Sequence, residues 1–265
     1  MQETRLFSPH LYEPIRIEIG LNIITRELWK TYPHKTYSDV RNAVNQHFGK
    51  LSSDKEIRHF WNQVNSFSMG LWQKNSIKPL TSAQYVWTKV DDMDTSDMIF
   101  DWDFNGRLPS KNQTVAALAK YIKEHLQIAE NEMKLSNELI LADPRRADRV
   151  IVAKTNRGLT ILDGHGRLIH AIVHGRNQIN AYLGEKIKSG TSNEWIPTEY
   201  LYRLFVDRSY FHLAYLLKSS QNARVEFAHY LSIGDLSRKR ILRNLNLLAF
   251  VYSVLLLLNK ALTRL

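Results

Sequence analysis

The stretch "LTILDGHGRLIHAIVHG", residues 159–175, decides how the chain is read. Four strand-prone residues, Leu159 to Leu162, run into Asp163-Gly164-His165-Gly166-Arg167, and an apolar segment with helical spacing continues to Gly175. Asp and Gly at the junction supply turn chemistry, and a glycine after the apolar segment is a helix-stop signal. The pattern predicts a strand, a tight corner and a helix. Upstream, "RVIVAK" (149–154) alternates and is β-rich, and "TNRG" is a turn, so 149–162 reads as a hairpin. Downstream, "QINAYLG" (178–184) reads as another strand. Before the hairpin, Val115, Leu118, Ala119, Ile122 and Leu126 fall on one face of a helix.

These elements predict an α+β fold, with a small mixed-sheet core (105–190) between a mainly helical N-terminal region (1–104) and a C-terminal helical bundle (191–265). In the first part, "PIRIEIG" (14–20) reads as a short strand. Ser38 reads as a helix cap with Gly49 at the helix end, and Ser53-x-x-Glu56 has capping-box form. Ile57, Phe60, Trp61, Val64 and Phe67 recur at helical spacing, which marks a core stripe rather than a base-stacking platform. Residues 91–103, "DDMDTSDMIFDWD", hold six Asp and no basic residue and read as a solvated acidic loop; a hard cation or a basic groove are its other conceivable partners.

With 44% hydrophobic and 11% aromatic residues in 265, the chain can bury a substantial core. Its 36 Lys and Arg against 26 acids give +10, which favours anionic partners without choosing among nucleic acid, nucleotide phosphates and an acidic surface. The absence of cysteine excludes disulfides, thiolate zinc sites and cysteine nucleophiles. The first residues lack a secretion signal's basic and apolar regions, so a cytoplasmic location is expected. "LLAFVYSVLLLL" (247–258) is shorter than the roughly 20 residues of a spanning helix. It reads as a buried helix, or one covered by a partner subunit in an oligomer.

Chemically, the corner offers two things. Backbone N–H groups at a helix start have no intrahelical acceptor and carry partial positive charge, which suits phosphate. Arg167 can add a bidentate clamp, Asp163 can hold magnesium through water or accept a hydroxyl proton, and His165 can exchange a proton near neutrality. The same residues can equally serve as a turn, a cap and a surface charge. Local spacing leaves both readings open.

The segment "ADPRRADRVIVAKTNRGLTILDGHGRLIHAIVHGRNQINAYLG" (142–184), with "NGRLPSKNQTVAALAKYIKEH" (105–125) before it, resembles the core of the ParB/sulfiredoxin superfamily. Members of that family read as a basic turn, a hairpin, Asp-Gly-His-His-Arg or Gly-Glu-Arg-Arg, a helix, Gly and a strand. The resemblance covers about 105–185. It implies a nucleoside di- or triphosphate (ATP, ADP or CTP) bound with magnesium by Gly164, His165, Gly166 and Arg167, with Asp163 and His165 in catalytic roles. The reactions it implies are phosphoryl transfer or nucleotide hydrolysis; other branches clamp DNA or are described as nucleases. Gly166 departs from the pattern, because it replaces the second His or first Arg. The sulfiredoxin reaction itself is excluded, since it needs a cysteine.

Arg145, Arg146, Arg149, Lys154 and Arg157 form a basic cluster that can guide a polyanion such as DNA to the corner or serve equally as ordinary surface charge. Arg238-Lys239-Arg240 and Arg243 lie in a C-terminal part whose apolar density reads as a packed bundle rather than a recognition helix. His170 and His174 are spaced i, i+4, but no Glu follows His170, so they read as polar residues on a packed helix. Alternative functions are a non-catalytic DNA-binding, partition-like or regulatory protein, and a scaffold using the helical wings.

Overall fold

The computed structural model describes residues 9–32, 34–67, 78–100, 113–124, 149–187, 195–206, 209–220, 223–224 and 226–228. The chain divides into two units, residues 1–192 and 193–265. The first unit is α+β. The C-terminal apolar run 247–258, Arg145, Arg146 and the 238–243 basic residues lie outside the described residues.

A 3-10 turn (Pro9–Tyr12) precedes α1 (Pro14–Thr31), α2 (Tyr37–Phe48), α3 (Asp54–Phe67) and a single turn α4 (Lys78–Thr81). Residues 14–20, expected as a strand, are instead the opening turns of α1. Pro14 stands at a position where its missing N–H costs nothing, and Ile19, Ile23 and Ile24 form the buried helical stripe. The cap of α2 is Thr36, two residues before the expected Ser38. Its Oγ1 accepts from the Asp39 N–H at 3.1 Å, and Asp39 Oδ2 accepts from the Thr36 N–H at 3.4 Å. At α3 the expected box is present: Ser53 Oγ accepts from the Glu56 N–H at 3.3 Å, and Glu56 Oε2 accepts from the Ser53 N–H at 2.9 Å. Ile57, Phe60, Trp61 and Val64 are buried, so most of that aromatic stripe is core.

The sheet has strands β1 (Tyr85–Asp94), β2 (Met98–Phe100), β3 (Gln113–Thr114), β4 (Val150–Thr155), β5 (Gly158–Asp163) and β6 (Gln178–Lys186), in the order β1-β6-β4-β5-β2-β3. Pairing is mixed: β1 with β6, β4 with β5 and β2 with β3 are antiparallel, while β4 with β6 and β2 with β5 are parallel. Residues 91–94 and 98–100 are therefore strand, where an acidic loop was expected. The sheet also draws β1 and β2 from before residue 105.

Between strands, α5 (Val115–Glu124) follows β3 and α6 (His165–Val173) joins β5 to β6. Leu118, Ile122, Leu168 and Ile169 from these helices pack with Val150, Val152, Ile161, Ile179 and Ala181 of the sheet. Side chains alternate along a strand, so Tyr182 faces away from Ala181 and this core. It meets α1 there: its O–H donates to Glu18 Oε1 at 2.9 Å and accepts from Asn22 Nδ2 at 2.8 Å. Arg16, fully buried, fixes the start of α1 by donating to the Leu80 and Ser82 carbonyls at 2.5 and 3.0 Å and to Tyr85 O. In the second unit, α7 (Thr198–Val206) and α8 (Tyr210–Ser219) bury Leu201 and Leu213. Among the described residues, no helix is long and apolar enough to cross a membrane.

Gly20 lets α1 approach α3 closely: a Cβ there would lie 2.5 Å from Phe60 Cζ and 3.0 Å from Val64 Cγ2. Gly20→Ala gains about 1 kcal/mol of helix propensity, but overpacking a dense core costs about 1–3 kcal/mol. The expected outcome is a net loss of roughly 1 kcal/mol, read as a lower urea midpoint with an unchanged denaturant slope.

Candidate functional site

The corner forms as the sequence pattern implies. The last residue of β5 is Asp163, Gly164 takes φ 97° and ψ 24°, and α6 starts at His165 with no side chain capping it. A left-handed φ favours glycine. Space demands it as well: a Cβ on Gly164 would sit 2.7 Å from Val150 Cγ1 and 2.8 Å from Arg167 Nη2. The room beside Gly164 is thus taken by the protein's own side chains. Gly164 serves the turn and its packing more than the approach of a ligand.

Arg167 is turned inward and is 9% exposed. Its Nη2 donates to Asp163 Oδ2 at 3.2 Å and its Nη1 to the Arg149 carbonyl. The same Oδ2 accepts from Arg26 Nη1 of α1 at 2.5 Å, and Arg26 Nε reaches Glu27 Oε1 at 3.1 Å. Two guanidiniums therefore meet on one carboxylate oxygen at an uncapped helix start. Burial alone raises the Asp163 pKa, but the Arg26 charge, then Arg167, the Arg26 hydrogen bond and His165, carry it well below the usual carboxylate range. Desolvation lowers the Arg167 value; Asp163 opposes that and the Arg26 charge adds to it. For Arg26, the Asp163 and Glu27 charges and hydrogen bonds more than reverse the loss from burial, so its value rises.

This geometry corrects two expectations. Arg167 does not project toward solvent as a waiting clamp, because burial holds it on Asp163 and a backbone carbonyl. Asp163, one of whose two expected roles was to accept a proton, is held well below the usual carboxylate range by two cations, which disfavours that role at neutral pH. His165 is half-buried, with its ring edge-on to Phe100 at a centroid distance of 5.0 Å. Gly166 lies in the first turn of α6 and brings no side chain.

Of the basic cluster, Arg149 is committed internally. It donates to the Val90 and Ala181 carbonyls at 3.3 and 3.4 Å, pairs with Asp91 at 2.5 Å and lies over the Tyr182 ring. Lys154 is exposed and 3.6 Å from Glu185, and Arg157 is exposed in the hairpin turn. The His170 and His174 rings stack at 4.1 Å, and His174 Nδ1 hydrogen-bonds the His170 carbonyl. Among the described residues, no group of three or more His, Asp or Glu is placed to hold a metal ion.

Arg26 escaped the sequence reading. It lies 137 residues from Asp163, in a helix of mixed charge, with no local motif to single it out. Arg41 is equally remote; its Nη1 donates to Asn22 Oδ1 at 2.5 Å and extends the Tyr182 network. No protein-family model, curated protein or solved structure matches the chain.

Asp163→Asn removes the charge between two largely buried guanidiniums. Breaking a buried pair from one side costs about 3–5 kcal/mol, a loss measurable by urea unfolding at pH 7. The folded-state pKa of Asp163 is depressed, so its stabilising contribution is complete above its unfolded value of about 3.9 and is lost as pH falls below it. Wild-type stability should therefore fall more steeply than that of the variant below about pH 4.

Proposed function

We propose that the chain binds the phosphates of a nucleoside di- or triphosphate at the 163–167 corner, and that phosphoryl transfer or nucleotide hydrolysis with magnesium is the chemistry this serves. The observation that carries this reading is the meeting of Arg26 and Arg167 on Asp163 Oδ2 beside the uncapped start of α6. Arg26 and Arg167 are met by Asp163 and, on Arg26, by Glu27, so the pairs balance, and the start of α6 adds roughly half a positive charge. A polyphosphate, with more charge than Asp163 and several acceptor oxygens, is the stronger partner for both guanidiniums. In this account Asp163 stands in for the ligand when the site is empty and holds the cations in position.

The resemblance to the ParB/sulfiredoxin core points the same way. That family's motif carries a second His or Arg where this chain has Gly166, and Arg26 of α1 brings a second guanidinium to the corner by another route. Catalysis of phosphoryl transfer is mostly positioning and charge stabilisation, which guanidiniums and amides supply. His165, half-buried beside the carboxylate, is the group suited to handle a proton, while Asp163 contributes charge and, through water, contact with a metal brought by the nucleotide.

Titration calorimetry of the full chain with ATP, ADP and CTP, with and without magnesium, is the direct test. Saturable heat below millimolar nucleotide is expected. In Asp163→Asn, pyrophosphate should raise the melting temperature by more than it does in the wild type, because it restores the missing anion. Absence of heat for all three nucleotides, together with equal pyrophosphate shifts, removes the proposal.

DNA binding of a partition-like or regulatory kind is the second reading, favoured by the net charge of +10 and the exposed Arg157 and Lys154. It predicts a gel shift with duplex DNA whose affinity falls steeply with salt. Binding that is absent, or indifferent to salt, dismisses it.

A further inference from the structure

A cleft of about 270 Å³ opens between α6, the turn into β6, the first half of β6 and the kink of β1. Its walls are tied together. The Asn177 carbonyl accepts from both the N–H and the hydroxyl of Thr95, each at 3.0 Å. Across the cleft, the Asn180 carboxamide oxygen accepts from the Asp92 N–H at 3.1 Å. Asp92 is the one non-glycine at positive φ among the described residues, at 54°, and the β1–β6 register shifts between Val90 and Met93 around it. Asp is among the residues that adopt the left-handed region most readily, and here it does so at a bulge that borders the cleft.

Seven of the nine lining residues are polar or charged, and Ala171 and Ile179 give the wall an apolar part. Arg176 is exposed at the turn; Arg167 also borders the cleft but is already paired with Asp163. An exposed carboxylate, Asp92, lies with the carboxamides of Asn177, Gln178 and Asn180 in the same cleft. Burial, then the charges of His174 and Arg176, keep His170 below the ordinary imidazole value, so at neutral pH its ring is an uncharged hydrogen-bonding group. A guanidinium asks for an anion, whereas a carboxylate accepts hydrogen bonds and repels an anion. Carboxamides serve hydroxyls from both of their ends. A ligand that satisfies all three has a phosphate at one end and hydroxyls at the other. The size agrees: drug-sized ligands occupy roughly 300–1,000 Å³, so this cleft suits something smaller than a nucleotide. Nor, among the described residues, does a phenyl, phenol or indole ring line it to stack on a base.

We propose that this cleft binds a small hydroxylated phosphate of the sugar-monophosphate class, with its phosphate on Arg176 and its hydroxyls on Asp92 and the Asn177 and Gln178 carboxamides. The cleft borders the nucleotide seat at Arg167, but its phosphate contact is Arg176, which the seat does not use.

The experiment is calorimetry and thermal shift on the full chain with ribose 5-phosphate, ribose and inorganic phosphate, in the wild type, Arg176→Ala and Asp92→Asn. Arg176 is exposed, and Asn tolerates a left-handed φ better than most residues, so neither substitution threatens the fold. Ribose 5-phosphate should bind saturably at or below millimolar concentration, with inorganic phosphate and ribose each weaker. Losing one charge-assisted contact should weaken it by about tenfold or more in Arg176→Ala, with a smaller loss in Asp92→Asn. The proposal is overturned by absence of saturable binding, by inorganic phosphate binding as tightly as ribose 5-phosphate, or by affinity that neither substitution changes. Running ATP in parallel separates the two sites: ATP heat without ribose 5-phosphate heat sinks this cleft alone, and the converse sinks only the nucleotide seat.

Discussion

A single carboxylate oxygen, Asp163 Oδ2, holds the first unit in its arrangement. It takes Arg26 from α1 and Arg167 from α6 at the end of β5, so three elements meet on one atom. Burial of such charges is costly and only good pairing offsets it, which makes the arrangement a poor source of stability but a strict source of register. Hydrophobic burial of Leu118, Leu168, Val152 and their neighbours on the other face drives folding without dictating how α1 is rotated. The buried Ile19, Ile23 and Ile24 stripe and the polar contacts of Glu18, Asn22 and Arg26 set it together, because a wrong rotation of α1 would expose the stripe and leave Tyr182 and Arg26 without these partners.

Where local rules decide, the chain is legible. The hairpin 150–163, the corner, α6 ended at Gly175 and strand β6 follow from turn residues and hydrophobic period, as do α5 and the capping box of α3. Where tertiary contacts decide, it is not. Ile15, Ile17 and Ile19 alternate like a strand, yet α1 continues the pattern to Ile23 and Ile24, and the longer period prevails. Asp is depleted in strands, so Asp91, Asp92 and Asp94 argue for a loop. They belong instead to β1 at the edge of the sheet, where charges tolerate water on the unpaired side and discourage further strand pairing.

The site was legible in membership and not in direction. Asp163, Gly164 and Arg167 stand together as the pattern implied, but sequence spacing cannot say that Arg167 bends back to the carboxylate four residues before it. That depends on Val150 filling the space beside Gly164 and on the Arg149 carbonyl lying within reach. Arg149 shows the same limit. Its charge is plain in the sequence, whereas its commitment to the Val90 and Ala181 carbonyls exists only because β1, β6 and β4 are neighbours. Arg26 was invisible because the partner that gives it meaning is 137 residues away.

Self-pairing at the corner also has a consequence for how tightly an anion can hold there. Guanidiniums left alone in a largely buried site would repel each other and draw in water, so an internal carboxylate keeps them poised. A ligand bound as proposed would have to displace Asp163, and whatever the internal pair contributes to stability would be subtracted from the affinity. A monoanion matching Asp163 in charge gains little from such an exchange. A polyphosphate gains more, because its additional oxygens reach the amides of the first turn of α6 that a side chain at Asp163, fixed in β5, does not cap. Under the proposed binding, the arrangement would discriminate by charge and by number of acceptors rather than by the shape of a cavity.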